Sequence, residues 1–135
     1  MPVVEFIVDG SPLSHQTKNR KELQAWKARV RAEATKVWTG APMQGMLQCT
    51  IINFFAGPEA LLDDDNMVKP IRDALNGLVY EDDRQIRHSY HGQLSNAGRF
   101  QIRGAAKIVV DALREGKTFV FVRIEDAPTE PQLPR

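Results

Sequence analysis

Residues Asp63–Asp83 read DDDNMVKPIRDALNGLVYEDD, and the rest of the chain is organised around them. Two acidic clusters, Asp63–Asp65 and Glu81–Asp83, flank one short amphipathic segment. Its apolar residues Met67, Ile71, Ala74, Leu75 and Leu78 recur at helical spacing. Asp65 or Asn66 is placed to cap the helix. Pro70 is then expected in or near the first turn, where backbone N–H groups lack partners anyway. Gly77 and Leu78-Val79-Tyr80 turn the chain toward the second cluster. The helix is a spacer that can bring the two carboxylate groups to one place.

Such a pair of acidic clusters suits a hard divalent cation, since Mg²⁺ takes oxygen ligands and few carboxylates. Asp63 and Asp65 are two apart, so on an extended segment they share a face, with Asp64 turned away. Lys69, four residues after Asp65, can reach back along a helix and stabilise charge on a phosphorane or leaving oxygen. The implied reaction class is metal-assisted phosphodiester hydrolysis. Acidic residues before a helix also serve simply as caps and dipole partners, and the tripeptide alone does not separate the two readings. A calcium EF-hand loop is excluded: counted from Asp63, Val68 and Ala74 stand where the glycine and the glutamate belong.

The combined pattern is more specific than any piece of it. Asp63-Asp64-Asp65-Asn66, Lys69-Pro70, Asp73-Ala74-Leu75, Gly77-Leu78-Val79 and Asp82-Asp83-Arg84-Gln85 together resemble the RusA family of Holliday junction resolvases. The resemblance implies a small homodimer that binds branched, four-way DNA and nicks it with Mg²⁺ or Mn²⁺. It implies catalytic, metal-binding carboxylates at Asp63, Asp65 and Asp83, and an essential lysine at Lys69. Asp64 and Asp82 are secondary candidates, because adjacent aspartates can exchange roles.

The surrounding composition agrees with a DNA enzyme once its distribution is considered. Net charge is only +1, but Lys18–Trp38 holds seven Lys/Arg against two Glu. Glu59–Asp83 holds eight acids and two bases, and Arg84–Arg123 eight bases and two acids. An acidic centre between basic flanks suits a metal nuclease, whose affinity comes largely from phosphate contacts. On the helix expected from Asn19 to about Trp38, Arg20, Lys27 and Arg31 stack on one face, beside an apolar stripe of Leu23, Trp26, Val30, Ala34 and Val37. The basic face suits DNA backbone or plain solvation equally. Trp26 is expected in the core.

At 135 residues the chain is one domain. Strands are expected at Val3–Val8, Met46–Ala56, Gln85–Gly92 and Thr118–Ile124, with the nearly continuous apolar second one central. A third helix is expected at Gly104–Glu115. The fold class is mixed α/β (α+β): a mixed sheet of these strands with helices packed against it, over residues 1–126, and a flexible Pro-rich tail, 127–135. Residues Glu59–Leu62 are expected to form the loop into the acidic cluster. Cys49 is the lone cysteine, so an intrachain disulfide or multi-cysteine zinc site is excluded, and its apolar surroundings predict a buried, inert thiol. His88 and His91 form a weak H-x-x-H signal without the context of a zinc protease, and His15 is expected at the surface. No apolar run has the length of a membrane span, and the N-terminus lacks a signal-peptide pattern, so a cytoplasmic protein is expected.

Overall fold

A computed structural model of the chain describes residues 2–57 and 62–135. Among the described residues the elements run β1 (Val3–Asp9), α1 (Arg20–Val37), β2 (Leu47–Phe55), α2 (Asp64–Leu75), β3 (Ile86–Ser95), α3 (Lys107–Arg114) and β4 (Phe119–Asp126). The strands form one sheet in the order β1-β4-β2-β3. β4 pairs antiparallel with β1 and β2, whereas β2 and β3 are parallel. A parallel pair needs a crossover from one end of the sheet to the other, and α2 lies within that crossover. The acidic stretch is therefore the middle of a βαβ unit. The loop expected at Glu59–Leu62 lies, apart from Leu62, outside the described residues.

Strand alternation gives the sheet two apolar faces. Val4, Phe6, Cys49, Ile51, Val122 and Ile124 pack with α1 and α2 residues such as Trp26, Val30, Met67 and Ile71. The opposite face carries Phe54, Phe119 and Phe121 against Ala112 of α3. β2 is thus covered on both sides and central, as its continuous apolar run predicts. Phe54 stacks on Phe119 with centroids 4.6 Å apart.

Helix α1 starts after Asn19, whose side chain accepts the Glu22 N–H at 3.1 Å. The Asn19 N–H goes to the Thr17 hydroxyl at 3.4 Å, so the glutamate return of a capping box is replaced by a neighbouring threonine. Leu23, Trp26, Val30 and Ala34 are buried, but Val37 is half exposed and ends the apolar stripe one turn early.

Helix α2 starts earlier than the capping signal suggests. Asp63 is its N-cap residue, without a side-chain capping bond, and Asp64 is already helical. Pro70 therefore lies in the helix interior, not near the first turn. Proline lacks the N–H that would bond the carbonyl four residues back, at Asn66. That carbonyl instead accepts the His15 backbone N–H at 2.8 Å. The polar loop after β1 thus supplies the donor that proline removes, and the helix continues. It ends where Gly77 takes φ +78°, a left-handed conformation that glycine adopts without strain. The Gly77 N–H then bonds the Tyr80 carbonyl at 2.7 Å. Tyr80 is fully buried, and its hydroxyl donates to the Arg72 carbonyl at 2.7 Å. Beyond β4, residues 128–135 are exposed and carry no regular element.

Ile71 is fully buried on the face that seats α2 on the sheet. Ile71→Ala should lower the unfolding free energy by about 2–5 kcal/mol. Val37→Ala should change it by less than about 0.5 kcal/mol, despite the same apolar spacing. Denaturant titration of both variants checks the contrast.

Candidate active site

The polar side of α2 makes one wall of a cavity. Asp65, Val68, Lys69 and Arg72 stand at i, i+3, i+4 and i+7, which is one helix face. Together with Asp83 and His91 they line a cavity of about 240 Å³. The helix buries Met67, Ile71, Ala74 and Leu75 on its other side, so the same amphipathic pattern that docks it also aims the polar row.

Three of the expected residues, Asp65, Asp83 and Lys69, share this cavity; Asp63 does not line it. Asp63 and Asp65 do not share a strand face, because the backbone is helical from Asp64 onward. Asp63 sits at the N-cap, at the mouth of the same helix. Asp64 is turned to β3, where the Gln93 amide donates to its carboxylate at 3.3 Å. Asp82 caps the 3-10 turn Asp83–Gln85, accepting the Arg84 N–H at 2.9 Å and pairing with the Arg84 guanidinium at 3.2 Å. Those contacts, the backbone hydrogen bond first, hold its carboxyl below the usual range. Lys69 pairs with Asp73 at 3.3 Å.

Two glutamines hold the acidic segments in place. The Gln85 carbonyl accepts the Glu81 and Asp82 N–H groups at 2.9 and 3.1 Å. Its amide donates to the Met43 and Gly45 carbonyls at 2.9 and 3.1 Å. That side chain fastens the Asp83 loop to the segment before β2, which explains the glutamine in the Asp-Asp-x-Gln pattern. Gln93, on β3, donates to the Leu62 carbonyl at 2.6 Å and receives a bond from buried Asn53 at 3.3 Å. It fixes the entry to α2. Nothing in the local sequence marks Gln93 or Asn53, since both act through strand pairing.

The basic face of α1 lies toward α2. Arg31 donates to the Ala74 carbonyl at 3.0 Å and the Asn76 carbonyl at 3.4 Å, satisfying groups that the helix end leaves open. Lys27 stands 4.0 Å from Asp73. Arg20 is exposed at the start of α1. Trp26 is core, and Cys49 is fully buried, with its thiol pushed up to about 12 by burial. His15 contributes its backbone to α2, and its side chain is half-buried.

His91 takes a place at the site that its weak H-x-x-H signal does not convey. It is mid-strand on β3, paired with Ile51, and faces the Asp65–Asp83 cavity while His88 is exposed. Burial, and then the Arg72 guanidinium, push its imidazole below the usual value, partly opposed by Asp64 and Asp65. Among the described residues, no three Asp, Glu, His or Cys side chains converge into a ready metal cage. The hard oxygens of Asp65 and Asp83 on one open cavity nevertheless suit Mg²⁺, which takes one or two carboxylates and leaves positions to water and phosphate.

Carboxylates on a crossover helix and on the loop before the next strand thus line one cavity, with a lysine between them. The family model described as Endodeoxyribonuclease RusA matches residues 10–103, and the chain belongs to that family of endonucleases acting on branched DNA. The matched region contains α1, the whole βαβ unit and the cavity, and it stops before α3 and β4. No curated protein matches the chain. Among the described residues no helix is long and apolar enough to cross a membrane.

Gln85→Ala should destabilise the protein by about 0.5–1.5 kcal/mol, because the Met43 carbonyl loses a part-buried donor. It should also raise amide hydrogen exchange at Glu81 and Asp82 selectively. Exchange measured by NMR at those two amides, against α1 as control, checks this.

Proposed function

We propose that this protein resolves four-way (Holliday) junctions in recombination and repair. In this reading it is a homodimer that makes paired, symmetric nicks, in the cytoplasm of a bacterium or in a phage-infected cell. Residues 1–126 would form the endonuclease domain and 127–135 a flexible tail. The observation that carries the reading is the meeting of Asp65, Asp83 and Lys69 on one cavity, in a chain of the RusA family.

Asp65 and Asp83 would hold Mg²⁺ or Mn²⁺ from the cavity they share, and Asp63, at the N-cap of the same helix, would be the third ligand. A divalent ion bound there would polarise the scissile phosphate as a Lewis acid. Lys69, released from Asp73 or sharing it, faces the phosphate and stabilises charge that develops there. Arg20 and Lys27 contact the DNA backbone from α1, and Arg31 adds positive charge there while bracing the end of α2. A single acidic site per chain and the two-fold symmetry of a junction both favour a C₂ dimer. Junction shape is then read through phosphates and geometry.

Synthetic four-way, forked and linear duplexes of shared sequence test the substrate. The four-way junction should be cut in opposite strands only when Mg²⁺ or Mn²⁺ is present, and preferred over the other two. Equal cutting of all three would make the protein a general nuclease. Asp65→Asn and Asp83→Asn should abolish cutting yet keep junction binding, and Lys69→Ala should slow cutting by about 10²–10³-fold. Mixing wild-type with Asp65→Asn subunits on a cruciform plasmid should release nicked circles. Linear product in undiminished yield would contradict the dimer.

A further inference from the structure

Two buried nitrogen atoms beside the carboxylates have no partner: Arg72 Nε and His91 Nε2. Both side chains line the cavity of Asp65, Lys69 and Asp83. Arg72 Nε always carries a hydrogen, and His91 Nε2 carries one in one of the two tautomers of the neutral ring. An N–H removed from water without an acceptor costs more than an ordinary hydrogen bond contributes, so an acceptor entering the cavity from outside would satisfy both. Arg72 does not lack partners altogether. One terminal nitrogen donates to the Asp83 carbonyl at 3.3 Å, which fixes the guanidinium plane and leaves the Nε edge free. His91 is held by strand pairing and cannot swing away with a loop.

The charges around the cavity narrow the chemistry of that acceptor. Asp65 and Asp83 repel an approaching anion, and exposed Lys69 is shared with Asp73. Arg72 is the half-buried cation of the cavity, less screened by solvent than Lys69. A guanidinium edge beside an imidazole N–H fits an oxygen of a phosphate, which accepts several charge-assisted bonds. We propose that Arg72 Nε–H and His91 Nε2–H form a two-donor seat for a non-bridging oxygen of the DNA phosphodiester to be cut. The assignment rests on the nuclease reading above for its substrate, while the seat itself is a property of the metal-free protein. Both residues touch the substrate in this scheme, so both are catalytic residues.

The first arm of the test needs no cleavage. Inorganic phosphate is titrated into metal-free protein while the His91 ring signals are followed by NMR, assigned by their loss in His91→Gln. A saturable shift is expected in the wild type and should vanish in Arg72→Met, with the melting temperature of that variant close to wild type. No saturable shift in the wild type would overturn the proposal, because the two nitrogens would then be serving water only.

The second arm uses a four-way junction with Mg²⁺. His91→Leu should slow cutting by about 10²-fold, and His91→Gln, whose amide nitrogen can occupy the Nε2 position, should recover most of the rate. If His91→Leu does not fold, His91→Asn, with its donor drawn back from that position, carries the same expectation. Replacing one non-bridging oxygen of the scissile phosphate by sulfur should slow the wild type in one diastereomer, and that effect should shrink in His91→Leu. Native rate and an unchanged sulfur effect in His91→Leu would overturn the seat. A wild type that binds phosphate at His91 but cuts no DNA would uphold the seat and overturn the nuclease reading instead.

Discussion

Everything at the site depends on the parallel pairing of β2 with β3. Two parallel neighbours cannot be joined by a hairpin, so the chain between them must cross the sheet, and α2 lies within that crossing. Antiparallel pairing would have allowed a tight turn and left the two acidic clusters without a helix between them. With the crossover in place, the first cluster begins α2 and the second precedes β3. One helix face then runs past both.

Amphipathicity turns that route into a site. Burying a side chain such as Met67, Ile71 or Leu75 contributes about 1.5–3 kcal/mol each, which fixes the rotation of α2 about its axis. Once that rotation is fixed, Asp65, Lys69 and Arg72 have no choice of direction. Fastenings at either end then limit sliding along the axis. Gln93 holds Leu62 and Asp64, His15 fills the carbonyl that Pro70 leaves open, and Arg31 covers the last turn. These contacts come from β3, from the loop after β1 and from α1, so distant parts of the chain converge on one helix.

What could be read from the sequence follows the range of each interaction. The apolar spacing of Met67, Ile71 and Leu75 and the glycine at 77 are local signals, and both have the expected roles. The start of α2 is less well marked, because three aspartates and an asparagine in a row all suit a cap. A start two or three residues later would bring Pro70 near the first turn and leave Asp63 and Asp65 on one face of an extended segment, and the structure has neither. Arg31 reads as a solvent-facing base on a helical wheel, but its carbonyl partners lie on another helix. The weak H-x-x-H signal does not separate His91 from His88, and Gln93 carries no local signal, because their significance comes from the side of β3 they occupy and from what α2 brings there. Residue type and spacing identified the family motif, whereas the residues that hold or complete the cavity needed the fold.

If α2 and the loop before β3 present Asp65 and Asp83 to one shared ion, metal binding depends on both carboxylates together. Mn²⁺ binding, followed by electron paramagnetic resonance on the wild type, Asp65→Asn, Asp83→Asn and the double variant, tests it most directly. A saturable site is expected in the wild type, with a large loss of affinity in either single variant and little further loss in the double one, as for groups acting as a unit. Affinity unchanged in either single variant, or two independent losses that simply add, would contradict a shared site.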